Sequence, residues 1–293
     1  MKETQLSFLE AAEKKRVVNV ASVPQRSPFR YPGGKTWLVP IIRRWLRNLT
    51  QKPREFFEPF AGGGIVALTV ACEALAEHVT MVELDEDVAS VWQVILNGDA
   101  EWLAERIVEF EISVESVKAE LAREPRNLRE KAFQTILKNR VYHGGILAPG
   151  SGLTKNGENG KGIRSRWYPQ TLQKRILNIA VHRERIRFTQ GDGLTCISAN
   201  ADRKDAVFFI DPPYTAAGKM AGKRLYKYNE LDHCRLFSLT RKISGEFIMT
   251  YDNADGVREL ARRHGFAVTE IPMKNTHHAT MFELLISKEK LQI

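Results

Sequence analysis

The sequence has little of what marks secreted, metal-bound or membrane-embedded chains. Only three cysteines occur among 293 residues, Cys72, Cys196 and Cys234. They are far apart, without paired spacing or a neighbouring histidine cluster, so neither a disulfide framework nor a zinc site is expected. No run approaches the roughly 18 apolar residues of a membrane helix. Residues 1–25 are charged and lack the apolar centre of a signal peptide. The expectation is a reduced, cytoplasmic protein with no metal and no membrane contact. Acidic charge is also in deficit: 44 Lys and Arg stand against 35 Asp and Glu, a net charge of +9, which favours a polyanionic partner, nucleic acid first. A hydrophobic content of 43% is enough for a full core and excludes disorder as the main state.

What is present alternates between strand-like and helix-like segments. Residues 1–26 read as an N-terminal extension with a short helix over 5–16. Trp37, Leu38, Ile41, Ile42, Trp45 and Leu49 then recur at helical spacing after the turn Tyr31-Pro32-Gly33-Gly34-Lys35. Strands are predicted over 55–60, 78–84, 187–189, 206–210 and 246–251, helices over 65–75, 88–97, 232–243 and 254–264, and a closing hairpin beyond. Strand, turn, helix and strand within about forty residues predict a parallel α/β sheet of the nucleotide-binding kind. The alternation breaks at 98–168, where charged helical sequence leads into a glycine-rich stretch. This predicts an insertion between the catalytic segments 27–97 and 169–293. Long loops of this type are commonly functional, which makes 144–162 a candidate binding loop.

Two constellations carry chemistry. The apolar run Ala206-Val207-Phe208-Phe209-Ile210 ends in Asp211-Pro212-Pro213-Tyr214, which places a carboxylate, a stiff turn and an aromatic ring at a strand's carboxyl end. Ligands bind at that rim in open parallel sheets. Proline fixes the backbone and has no amide hydrogen, leaving its carbonyl to meet an external donor. An exocyclic base amine has two hydrogens, which a carboxylate and a carbonyl can both accept, and Tyr214 could stack on a base rotated out of a duplex. The tetrapeptide is expected by chance in roughly one chain of this length per thousand, so a mere strand-ending turn is the weaker reading.

The second constellation is Phe60-Ala61-Gly62-Gly63-Gly64, a turn that lets backbone approach a ligand at a helix N-terminus. Glu83 follows about twenty residues on, at the end of the next strand, where a carboxylate can hold both ribose hydroxyls of a nucleoside-type cofactor. Lys35 either meets the carboxylate of such a cofactor or is a solvated lysine. Asp192, in Gly191-Asp192-Gly193, either accepts from a cofactor adenine or is a common turn residue.

Taken together and in this order, Tyr31-Pro32-Gly33-Gly34-Lys35, Phe57-Glu58-Pro59-Phe60-Ala61-Gly62-Gly63-Gly64, Glu83, Asp192 and Asp211-Pro212-Pro213-Tyr214 resemble the Dam-like N6-adenine DNA methyltransferases. The resemblance spans 30–288. It implies a Rossmann-like methyltransferase sheet with a mainly helical target-recognition insertion, and transfer of a methyl group from S-adenosylmethionine to adenine in double-stranded DNA. It further implies that Tyr31, Lys35, Phe60, Ala61, Gly62, Gly64, Glu83, Asp192 and Asp211 line the cofactor site. It also implies that Asp211, Pro212 and Tyr214 hold the target base in a catalytic motif that includes Pro213, with Tyr251 a candidate wall beside it. Basic residues of the insertion, among them Arg126, Arg129, Lys131, Lys138, Arg140, Lys155, Lys161, Arg164 and Arg166, face only Glu130 and Glu158 in their part of the sequence. Arg140, Lys155, Lys161, Arg164 and Arg166 are the candidate DNA contacts. A stand-alone, phage-encoded or restriction-paired enzyme fits this reading, the last with a cognate restriction endonuclease as partner. Methylation of RNA adenine, cytosine or a protein amide, or an inactive DNA-binding fold, are the alternatives.

Overall fold

The computed structural model describes residues 18, 20–157, 160–213, 227–228, 230–274 and 280–291. Its apolar segments form one seven-stranded sheet in the order β3-β2-β1-β4-β5-β7-β6. The strands are β1 (Glu55–Glu58), β2 (His78–Glu83), β3 (Ile186–Gln190), β4 (Ala206–Ile210), β5 (Glu246–Asp252), β6 (Ala267–Lys274) and β7 (Thr280–Ser287). β1 to β5 are parallel, and the β6–β7 hairpin joins β5 antiparallel. β1 and β4 are buried at every position, as expected of central parallel strands covered on both faces. The sequence expected this sheet, and its strand limits agree to within two residues.

Ten α-helices lie among the described residues: α1 (Val39–Arg47), α2 (Ile65–Cys72), α3 (Glu86–Leu96), α4 (Ala100–Glu109), α5 (Val114–Ala122), α6 (Leu128–Val141), α7 (Pro169–Val181), α8 (Gly193–Asn200), α9 (His233–Thr240) and α10 (Asp255–Arg263). Local signals start several of them. Asp85 caps α3 by accepting from Asp87 N at 2.9 Å, and Ser113 caps α5 through a reciprocal box with Ser116. Gly64 opens α2 from a left-handed conformation, φ +62°. A Cβ there would lie 2.5 Å from Met81 Cε, so only glycine admits both this turn and this packing.

The insertion is not separated from the rest by packing. Leu103, Ile107, Phe133, Ile136 and Leu137 share one apolar core with Val70, Met81 and Trp92 of the catalytic segments. The expected helical insertion is therefore continuous with the sheet's helical layer, and α4 packs on α7 across the expected boundary. The glycine-rich stretch is also organised. Tyr142 bridges Leu153, Thr154 N donates to Val141 O at 2.9 Å, and a 3₁₀ turn occupies Gly162–Arg166. Part of the expected extension is likewise docked: Val23 is 3% exposed and Arg26 pairs with Glu73 at 3.2 Å. The short helix expected over 5–16 lies outside the described residues. No helix among the described residues is long and apolar enough to cross a membrane.

Candidate active site

The site follows from the strand order. Chain connections reverse direction between β1 and β4, and such a switch opens a crevice at the carboxyl ends of the two strands. β1 ends in the turn through Phe60 and Gly62, and β4 ends in Asp211-Pro212-Pro213, so the two constellations of the sequence face one another across that crevice.

On the β1 side the glycine turn is tied down from both neighbouring elements. Ala61 N donates to Val82 O at 2.9 Å, Gly62 N to Glu83 Oε2 at 2.7 Å, and Trp92 Nε1 to Gly62 O at 3.0 Å. Gly62 has φ +46°, and a Cβ there would come within 2.5 Å of the Tyr31 ring, which lies over the turn. Phe60 packs against the second core cluster, and its ring approaches Gly193.

Glu83 also accepts from Asp85 N at 2.9 Å. Burial outweighs these donors and pushes its carboxyl up to about 7. Two backbone hydrogen bonds leave further lone pairs on the same oxygens, so the carboxylate can still accept hydroxyls. Glu58, 3% exposed, accepts from Ala67 N at 2.7 Å, and burial raises its carboxyl well above the usual range. Asp192 caps α8, accepting from Leu194 N at 3.3 Å and Thr195 N at 3.0 Å. It is partly buried at the end of β3, near Glu83, whose carbonyl accepts from Gly191 N at 3.0 Å.

On the β4 side Asp211 is engaged by two donors at one oxygen. Lys35 Nζ lies 2.9 Å from Asp211 Oδ1, and Thr250 Oγ1 donates to the same atom at 2.6 Å. Lys35 also lies 3.2 Å from Glu283 Oε1 and donates to Gly33 O at 2.9 Å. It is 4% exposed, which removes the solvated-lysine alternative. Pro212 is buried and Pro213 half-buried, whereas Tyr214 lies outside the described residues.

A model of the D12 class N6 adenine-specific DNA methyltransferases matches residues 31–276. The chain belongs to this family. It is an adenine-specific DNA methyltransferase, as the resemblance implied. No curated protein matches the methyltransferase. Among solved structures it is similar to the rRNA methyltransferase aviRa of Streptomyces viridochromogenes, with 13% identity over 88% of this chain and 86% of that one and a TM-score of 0.39. A putative RNA methyltransferase of Pyrococcus horikoshii shows 12% identity over 94% of each chain and a TM-score of 0.40. Likeness at that level carries nothing about substrate.

The candidate DNA contacts divide. Lys155, Lys161 and Arg164 are exposed and line a groove of about 370 Å³ with Ser113, Val114 and Thr154. Arg166 is half-buried. Arg140 corrects the expectation: it is 5% exposed and donates to the Pro28 carbonyl, and burial with the nearby Arg175 pushes its guanidinium down to about 9. It braces the segment leading into Tyr31. Asn139 does the same, accepting from Arg30 N at 2.8 Å and donating to Arg30 O at 3.1 Å. The basic run is also less one-sided than its sequence. Arg126 pairs with Glu130 at 2.6 Å, Arg129 with Asp99 at 2.6 Å, and Lys131 with Asp87 at 3.3 Å.

Tyr251 lies close enough to Asp211 for that carboxylate to add to the burial that raises its phenol. It is 1% exposed within the second core cluster, and its hydroxyl meets His233 Nδ1 at 2.8 Å. Thr250 of β5 donates to Asp211. Sequence reasoning singles out neither Thr250 nor Glu283 as a site residue. The one available signal is a carboxylate inside the apolar strand Met281-Phe282-Glu283-Leu284-Leu285-Ile286.

Proposed function

We propose that this methyltransferase moves a methyl group from S-adenosylmethionine to N6 of an adenine rotated out of duplex DNA at a specific site. The observation that carries the reading is the meeting of the Gly62 turn and Asp211-Pro212 across the β1–β4 crevice, with Asp211 already oriented by Lys35 and Thr250.

The residues present fit the cofactor. Gly62 and Gly64 keep the turn low against the crevice, Glu83 offers acceptors for ribose hydroxyls, and Tyr31, Phe60 and Ala61 supply apolar walls. Asp192, at the end of the adjoining β3, serves the adenine end. When bound, S-adenosylmethionine supplies an electrophilic methyl group on a sulfonium.

Asp211 and the Pro212 carbonyl accept the two amine hydrogens. This withdraws the nitrogen lone pair from the ring and directs it at the methyl group. With the methyl group transferred, the cofactor would leave as a neutral thioether, and the extra proton on the nitrogen would pass by way of Asp211 to solvent water. Asp211 stabilises the positive charge that develops on nitrogen, so orientation and electrostatics carry the rate. Tyr214 stacks on the extruded base. Lys155, Lys161, Arg164 and Arg166 hold the phosphate backbone, and the insertion reads the bases.

Methyl transfer from labelled S-adenosylmethionine to unmodified duplex DNA, followed by nucleoside analysis and mapping of the modified sites, tests this function. N6-methyladenine within one short sequence is the expected product. Label in RNA, protein or cytosine, or none despite cofactor binding, would overturn it.

A further inference from the structure

The turn Gly62-Gly63-Gly64 has no side chain of its own to set its shape. The peptide between Gly62 and Gly63 rotates about ψ of one glycine and φ of the next, and neither has a Cβ to restrict that rotation. Its orientation must come from what surrounds it. Gly62 N donates to Glu83 Oε2 at 2.7 Å, which holds the peptide on the Ala61 side. On the Gly63 side Trp92 Nε1 donates to Gly62 O at 3.0 Å. Both partners come from one unit: Glu83 ends β2, and Trp92 lies among the buried residues of α3, which begins at Glu86.

The indole is itself fixed. Trp92 is fully buried, and its ring lies 5.5 Å from that of Phe29. It shares an apolar core with Phe133 and Ile136 of the insertion. A Cβ at Gly64 would lie 3.1 Å from Trp92 Cζ2, so the same rigid ring borders the turn at Gly62 and at Gly64. A trans peptide is planar with its C=O and N–H pointing opposite ways, so holding Gly62 O on the indole directs the Gly63 N–H away from α3. Without the indole N–H, Gly62 O is a buried acceptor that has lost its donor, and the peptide turns to find another. Cofactor then binds only the fraction of molecules in which the original orientation survives.

We propose that Trp92 is a positioning residue for the cofactor: its indole N–H pegs the Gly62–Gly63 peptide in the orientation that receives S-adenosylmethionine. The inference rests on the reading of the Gly62 turn as the cofactor site.

The test replaces Trp92 in the intact chain by β-(benzothiophen-3-yl)alanine, which puts sulfur in place of the N–H and keeps the shape of the ring. Trp92→Phe is the second variant, and Gly62→Ala is the control for the turn. Calorimetry gives Kd for S-adenosylmethionine, steady-state methylation of a duplex containing the enzyme's site gives kcat and both KM values, and thermal melting follows folding. Survival of the orientation in about a tenth of the molecules raises Kd by about tenfold. The benzothiophene protein should show that rise in Kd and in KM for S-adenosylmethionine, while kcat and KM for DNA change by less than about threefold. Trp92→Phe should lose at least as much affinity for the cofactor. A role confined to packing predicts wild-type cofactor affinity in the benzothiophene protein, whose ring fills the same space.

A Kd within about twofold of wild type in the benzothiophene protein, or a loss confined to kcat or to KM for DNA, would overturn the inference. If Gly62→Ala leaves Kd unchanged, the reading of the turn fails and the inference with it. If Gly62→Ala weakens cofactor binding while the benzothiophene protein binds as wild type does, only this inference fails. Should either Trp92 variant not fold, the other decides by the same split between cofactor and DNA.

Discussion

Glu83→Gln offers a quantitative test of the cofactor side of the site, because this carboxyl should contribute to the pH dependence of the stability of the ligand-free enzyme. Burial raises Glu83 from its ordinary 4.5 to about 7, against the pull of the Gly62 and Asp85 amides. A raised carboxyl means that the folded protein holds the proton more tightly than the unfolded chain does. The resulting stabilisation is complete below about pH 4.5 and is lost as pH rises through about 7. The gap between these two values corresponds to about 3 kcal/mol at roughly 1.4 kcal/mol per pH unit. The glutamine of the variant cannot titrate, and its amide nitrogen can no longer accept one of the two backbone hydrogens, a loss of about 1–3 kcal/mol that is the same at every pH.

Urea unfolding of both proteins without ligand, at intervals between pH 4.5 and 8, separates the two effects. Glu58 is raised partly by the Glu83 charge and shifts with it, so the difference between the two proteins reports Glu83 together with that coupling. Wild type should lose about 3 kcal/mol relative to the variant across the range. A difference that does not move with pH would show that Glu83 is not held in the buried, proton-retaining environment described.

Gly62→Ala places a methyl group 2.5 Å from the Tyr31 ring at φ +46°, so the turn must deform. Calorimetry should show cofactor affinity reduced by about tenfold or more in a protein that still folds. Removing Lys155, Lys161 and Arg164 together should lower the slope of log DNA affinity against log salt by about 3, with S-adenosylmethionine affinity unchanged. An unchanged slope would remove the groove they line from the DNA interface. Arg140→Ala should instead lower the melting temperature and leave that slope alone, since Arg140 holds the Pro28 carbonyl inside the protein.

How far the sequence reaches follows from the range of each signal. The sheet is legible because β1, β2, β4 and β5 are local apolar runs bounded by turns, and because the Gly62 turn and Asp211-Pro212-Pro213 lie at strand ends, where chain order alone sets their place. The partners of Asp211 are not legible. Lys35 and Glu283 meet only after β7 inserts beside β5, a pairing no local pattern announces. Sequence alone leaves Lys35 as a cofactor ligand or a solvated side chain, whereas its neighbours are Gly33, Asp211 and Glu283.

Tyr251 and Thr250 differ by one position on a central strand buried on both faces. Alternation sends neighbouring side chains to opposite sides, and burial of both removes the cue that separates them. Arg140 misleads for a similar reason. Composition counts charges without locating them, and a guanidinium can be buried when it has a backbone carbonyl to hold.

The most direct test of the account is methyl transfer by Asp211→Ala, measured in single turnover on site-containing duplex DNA, with S-adenosylmethionine binding followed in parallel by calorimetry. If Asp211 accepts the target amine and stabilises its developing charge, transfer falls by at least about a thousandfold while cofactor affinity changes by no more than a few-fold. Transfer at a near wild-type rate in a variant that binds cofactor normally would contradict it.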